Sequence, residues 1–142
     1  MMLPLRHARF WRLADSVLLL LVFLSALMPA VWLWNDSTSA LIWFKNADKW
    51  LHGLTFFVLA VWFAGQFRRP QYWRIAIGLA LFGLLIEGCQ YLVGYRRADW
   101  LDMGANAAGI VMGLTLAMAG IGGWCVRVED WYAARTTGSA IE

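Results

Sequence analysis

Charged residues are scarce in this chain. Only 15% of its 142 residues are Asp, Glu, Lys or Arg, against 61% hydrophobic. A soluble domain of this length cannot bury that much apolar surface in one core, so composition places the chain in the membrane class. Basic charge is also thin. The net charge is +3, and there is no basic stripe interleaved with stacking aromatics, which excludes a nucleic-acid partner. Cysteine is nearly absent. Cys89 and Cys125 both lie in apolar runs without a CxxC partner and read as packing residues. Compact catalytic signatures are missing as well: there is no HExxH, no Gly-x-Ser-x-Gly, and no cysteine close to a histidine. A metal set of His52, Glu87, Asp99 and Asp102 can be drawn, but no linear spacing supports it, so no metal and no cofactor are expected.

What the chain does contain is four apolar segments, near Asp15–Trp34, Trp50–Phe67, Trp73–Val93 and Leu101–Cys125. Each approaches the roughly 20 residues that span a bilayer. In lipid the backbone must satisfy its own hydrogen bonds, so spanning helices are expected. The predicted class is all-α: a polytopic membrane protein, with a four-transmembrane-helix bundle over residues 15–125. Residues 1–14 form a cytoplasmic lead-in, and residues 126–142 a short interfacial tail that frays. The first segment has the basic start and leucine-rich middle of a signal peptide. Its apolar run continues past the poor cleavage stretch Ser25–Ala30 to Trp34, so it is expected to be retained.

Orientation follows from Lys and Arg. With the N-terminus inside, eight of the 12 fall on the inner side (Arg6, Arg9, Arg12, Arg68, Arg69, Arg74, Arg127, Arg135) and four on the outer (Lys45, Lys49, Arg96, Arg97). Both termini are therefore expected in the cytoplasm. Trp11, Trp34, Trp43, Trp50, Trp73, Trp100, Trp124 and Trp131, near segment edges, are read as interfacial belts.

On this topology the remaining polar residues collect on one side. Asp48, Lys49 and His52 begin the second helix, with Asp48 and His52 four apart on one face. Glu87 and Gln90 lie in the last turns of the third, and Arg96 and Arg97 in the outer loop. Asp99, Asp102 and Asn106 open the fourth, three and four residues apart. Each has a plain structural reading: helix N-caps for Asp48 and Asp99, an interfacial anchor for Lys49, a packing histidine for His52, a solvated loop charge for Arg97. Glu87 is harder to explain so. A carboxylate inside "LLIEGCQ" costs about 3 kcal/mol near the bilayer centre. It needs a partner such as Arg96, Lys49 or His52, whether to fix helix packing or to build a site. Ala105, Gly109 and Gly113, every four residues, form a small-residue face for close helix approach, which Gly104 and Ala108 are expected to widen.

These blocks resemble a known family. "DKWLH" (Asp48–His52), "EGCQ" (Glu87–Gln90) and "RRADWLDMGANAAGIVMG" (Arg96–Gly113) are similar, in order and spacing, to the signature of VanZ-like membrane proteins: Asp-Lys-x-x-His, Glu-x-x-Gln, an Arg six residues on, then Asp-x-x-x-Asn before a glycine-rich helix. One departure is "GYR" at Gly94–Arg96, where the family often has Pro-Gly-Arg. The resemblance implies a small multi-helix protein of the bacterial inner membrane, in a family whose founding member is associated with low-level glycopeptide resistance. It implies no particular reaction.

Two functions fit the polar residues. One is binding of a polar or anionic head group at the outer leaflet, such as a lipid-linked cell-wall precursor or glycolipid. Lys49 and Arg96 would meet phosphate or carboxylate, while Gln90, Asp102 and Asn106 would bond sugar or amide groups; Asp48, His52, Glu87 and Asp99 complete the expected ligand-binding set. The other is an intramembrane enzyme in which His52 with Glu87 or Asp102 does acid–base chemistry on a lipid head group. Expected partners are membrane lipids and a second copy of the chain. A proton-coupled transporter is disfavoured by four short helices with no inverted repeat.

Overall fold

The structure, a computed structural model, describes residues 2–28, 38–93 and 100–138, with side chains given at 2–28, 49–93 and 100–136. It is all-α: α1 (Ala8–Ala26), α2 (Thr38–Ala64), α3 (Tyr72–Val93), α4 (Trp100–Leu116) and α5 (Trp124–Gly138). A single 3-10 turn (Arg69–Gln71) with Pro70 in its first turn leads into α3. No strand occurs among the described residues beyond one isolated bridge between Met2 and Phe67.

The third apolar segment matches its helix closely. The first and second begin earlier than their apolar runs, at Ala8 and Thr38, because helix continues through charged turns that hydropathy does not mark. The fourth ends sooner. After Leu116 the helix widens into a π turn (Ala117–Ile121), and Gly120 (φ 143) and Gly123 (φ 74) take backbone conformations that favour glycine. The chain therefore turns within "GIGG", and Cys125 belongs to the next helix.

Long-range bonds set the helix directions. Trp62 Nε1, at the end of α2, and Gln66 Nε2, in the turn just after it, donate to Asp15 Oδ1 near the start of α1, at 2.7 and 2.6 Å. Gln90, near the end of α3, reaches the Ala26 carbonyl that ends α1. Lys49 of α2 meets Asp102 in the first turn of α4. So α1 and α3 run one way, and α2 and α4 the other.

The α2–α4 pair is the most closely packed. A Cβ on Gly109 would overlap the Gly53 carbonyl oxygen, and one on Gly113 would lie 2.7 Å from both the Phe57 oxygen and the Ala60 Cβ. The small face thus lets two backbones touch, as expected. Gly104 and Ala108 add nothing to it. Both are exposed, and a Cβ on Gly104 would meet nothing within 4 Å. Phe56, Leu59, Ile75, Leu79, Ile86, Ile110 and Leu114 fill the space between α2, α3 and α4.

The distribution of polarity is inverted. Leu20, Leu24, Ile77, Leu81, Leu85, Val111 and Met112 face outward, while His52, Gln66, Glu87, Gln90, Asp102, Asn106 and Glu129 are buried. Among the described residues, two helical stretches are long and apolar enough to cross a membrane, Arg69–Val93 and Trp100–Ile121; the apolar part of α2, Lys49–Ala64, is shorter.

The end holding the N-terminus is tied together by tryptophans. Trp11, Trp62 and Trp124 pack ring against ring, with centroids 5.4 to 5.8 Å apart. Trp11 is buried and Trp124 partly so, which corrects their assignment to an outer belt: each indole N–H has an interior acceptor, Glu129 Oε1 for Trp11 and the Val61 carbonyl for Trp124. Trp50, Trp73, Trp100 and Trp131 do face outward. Glu129 also accepts the backbone N–H groups of Arg6 (2.6 Å) and His7 (2.9 Å), so α5 holds the segment entering α1. Burial pushes the Glu129 carboxyl up, but the hydrogen bonds from His7, Arg6 and Trp11 and the charge of His7 outweigh it and hold the group below the usual carboxylate range.

Candidate functional site

The opposite end of the bundle collects the residues singled out by their polarity in apolar runs. Lys49 and His52 lie one turn apart on α2, Glu87 and Gln90 on α3, Asp102 and Asn106 on α4. Asp102 sits in the first turn of α4, where the positive end of the helix dipole favours a carboxylate. Gly53, beside His52, packs against the Ala105 carbonyl at 3.4 Å from its would-be Cβ, and so the close α2–α4 contact carries the two polar rows into register.

Two cross-helix contacts follow. His52 Nδ1 lies 3.1 Å from Asn106 Oδ1, and Lys49 Nζ lies 3.4 Å from Asp102 Oδ1. Glu87 approaches from α3. One ligand atom each from His52, Glu87 and Asp102 lies within 4.8 Å of the others, and all three side chains are buried. Lys49 keeps 27% of its side chain exposed, so the cluster reaches the surface along that side.

Gln90 is partly committed elsewhere. Its Nε2 donates to the Ala26 carbonyl at 2.8 Å, satisfying one of the acceptors left open at a helix C-terminus. Arg96, Arg97 and Asp99, and the side chain of Asp48, lie outside the described residues.

Asn106 has a second face. It is 4% exposed, and its Nδ2 has no hydrogen-bond partner among the described residues. Asn106 also lines a groove of about 300 Å³ between α3 and α4, whose other lining residues are apolar, such as Ala80, Gly83, Met103, Ile110 and Val111. The polar cluster and an apolar groove thus share one residue. A larger groove, about 490 Å³, lies between α1 and α3 with Asp15 and Arg74 on its wall, and no side chain of the cluster lines it.

Sequence reasoning passed over Asp15, Gln66 and Glu129. Asp15 stands at the mouth of "SVLLLL" as Glu87 stands inside "LLIEGCQ", and the same test would have marked it. Nothing in the sequence around Glu129 marks its contacts, which lie more than 100 residues away.

An all-α chain with apolar residues outside and charged residues from three helices gathered inside one end has the polarity pattern of small multi-helix membrane-associated proteins. The family model described as VanZ/LLP1 matches residues 5–122, and the chain belongs to that family. The match extends the resemblance of the three polar blocks to α1 and to the turn after α4. No curated protein and no solved structure matches the chain.

Proposed function

We propose that this VanZ/LLP1 protein crosses the bacterial inner membrane four times, with both termini inside, and binds the polar or anionic head group of a lipid at its outer end. Helices α1–α4 are the spans, and residues 126–142 are the inner interfacial tail. A lipid-linked cell-wall precursor or a glycolipid is the ligand class. Any tie to glycopeptide susceptibility rests on the family alone. A second copy of the chain is a further expected partner.

The observation that carries this reading is the double role of Asn106. Its Oδ1 meets His52 within the charged cluster, and the same residue lines the apolar groove. A head group held by Lys49, His52 and Asp102 would leave its chain a continuous path along α3 and α4. The inverted polarity supports a hydrocarbon surrounding, because so broad an exposed apolar surface exceeds what soluble monomers carry. Charged side chains inside membrane segments face a bundle interior or a functional path for the same reason.

Lipid mass spectrometry of the gently purified protein tests this. Wild type is expected to retain an anionic or glycosylated lipid that Lys49→Ala and Asn106→Leu lose and Arg74→Ala keeps. Identical lipid profiles in all four would overturn the reading. The proximity of His52 to two carboxylates also supports the enzyme reading, in which those groups move a proton during hydrolysis or transfer on the head group. His52→Gln separates the two: an enzyme loses turnover and keeps lipid, whereas a binding protein loses lipid.

A further inference from the structure

We propose that His52, Glu87 and Asp102 form a site for one divalent transition cation, of the Mn²⁺ or Zn²⁺ kind. The three donors lie 35 and 15 residues apart in sequence and on three different helices, so no compact motif announces them. The fold brings one nitrogen and two oxygens to within 4.8 Å of one another. Ligand atoms around one such cation lie about 3–4 Å apart, given bonds of about 2.0–2.2 Å. Closing the set takes about an ångström of carboxylate rotation.

The donor set suits this class of ion. Imidazole selects transition cations, and carboxylates suit harder ones such as Mn²⁺. Three protein ligands leave positions open, as in sites that act on a ligand rather than brace a fold. The surroundings add a separate observation. Metal-binding histidines are oriented by a hydrogen bond at the other ring nitrogen. Asn106 Oδ1 lies 3.1 Å from His52 Nδ1 and so fixes the orientation of the ring.

A divalent cation held by His52, Glu87 and Asp102 would add positive charge to the cluster and so attract an anionic head group. That step from cation to head group rests on the head-group reading; the cation site does not.

The test uses the metal alone. Full-length protein in detergent, stripped with a chelator, is titrated with Mn²⁺ while free ion is followed by electron paramagnetic resonance. Wild type is expected to bind one Mn²⁺ per chain and to gain thermal stability from it. His52→Gln and Asp102→Asn should bind roughly tenfold or more weakly and lose that gain, and Asn106→Leu should weaken binding by about tenfold through loss of ring orientation. Glu87→Gln replaces either ligand variant that does not fold. The competing histidine is His7, 3.5 Å from Glu129 at the other end of the bundle, so His7→Gln should bind as wild type does. No stoichiometric binding by wild type, undiminished affinity in His52→Gln, or a loss in His7→Gln instead would overturn the site. Because the titration adds no lipid and reads the metal alone, these results stand apart from the lipid profile that tests the head-group reading.

Discussion

Replacing Gly109 with alanine should damage the protein more than any other single methyl group added to α4. The added Cβ would overlap the Gly53 carbonyl oxygen and press on the Phe57 amide nitrogen, both backbone atoms of α2. Neither can rotate away, so α2 and α4 must separate. Overpacking of this kind costs about 1–3 kcal/mol, and alanine's better helix propensity returns only about 0.5–1 kcal/mol. Gly104→Ala is the matched control. It lies on the same helix, one turn from the polar cluster, and its Cβ would meet nothing within 4 Å. That change should leave stability the same or raise it slightly. The damage should also reach the cluster, because Asn106 stands one turn from Gly109 and bonds to His52 across the same interface. Thermal melting in detergent, with Gly109→Ala, Gly104→Ala and the milder swap Leu114→Ile compared side by side, reads the effect. Equal midpoints for the two glycine variants would refute the argument that backbone contact at Gly109 holds the helices together.

The Glu129 clasp should be acid-labile. A carboxyl held below its usual range contributes stability that is fully present above that range and is lost as pH falls through its folded-state value. The advantage of wild type over Glu129→Gln in melting temperature should therefore shrink between neutral pH and about pH 3; a constant gap would contradict it. Thiol reactivity should separate the two cysteines. Burial, then the charges of Asp15 and Glu129, push the Cys125 thiol up to about 12, and its side chain is fully buried, whereas Cys89 is only partly so. Maleimide should modify Cys89 well before Cys125 in folded protein, and equal rates would show that α5 is not docked as described.

Much of this architecture could be read from residue order. The run Trp73–Val93 yields α3 almost to the residue, because a long apolar stretch bounded by polar turns leaves helix little alternative. The four-residue spacing of Ala105, Gly109 and Gly113 foretells a close helix contact, and Glu87 foretells a polar cluster, since a charge in an apolar run demands company. What escaped reading depends on partners distant in sequence. Trp11 and Trp124 look like belt residues until Glu129 and Val61 supply interior acceptors. Gly104 looks like part of the small face, but it lies on the outer side of α4, and nothing in its local sequence distinguishes it from Gly109. The three donors His52, Glu87 and Asp102 carry no motif because each comes from a different helix.

The central claim is that the end of the bundle holding Lys49, His52, Asp102 and Asn106 faces outward from the cell. Single cysteines placed at Asn35, Arg97 and Arg69, in a background lacking Cys89 and Cys125, test it in whole cells with an impermeant thiol reagent. Positions 35 and 97 should label and position 69 should not, in keeping with the eight basic residues of the 12 assigned to the inner side. Labelling at position 69 alone would reverse the topology and remove the outward-facing head-group site with it.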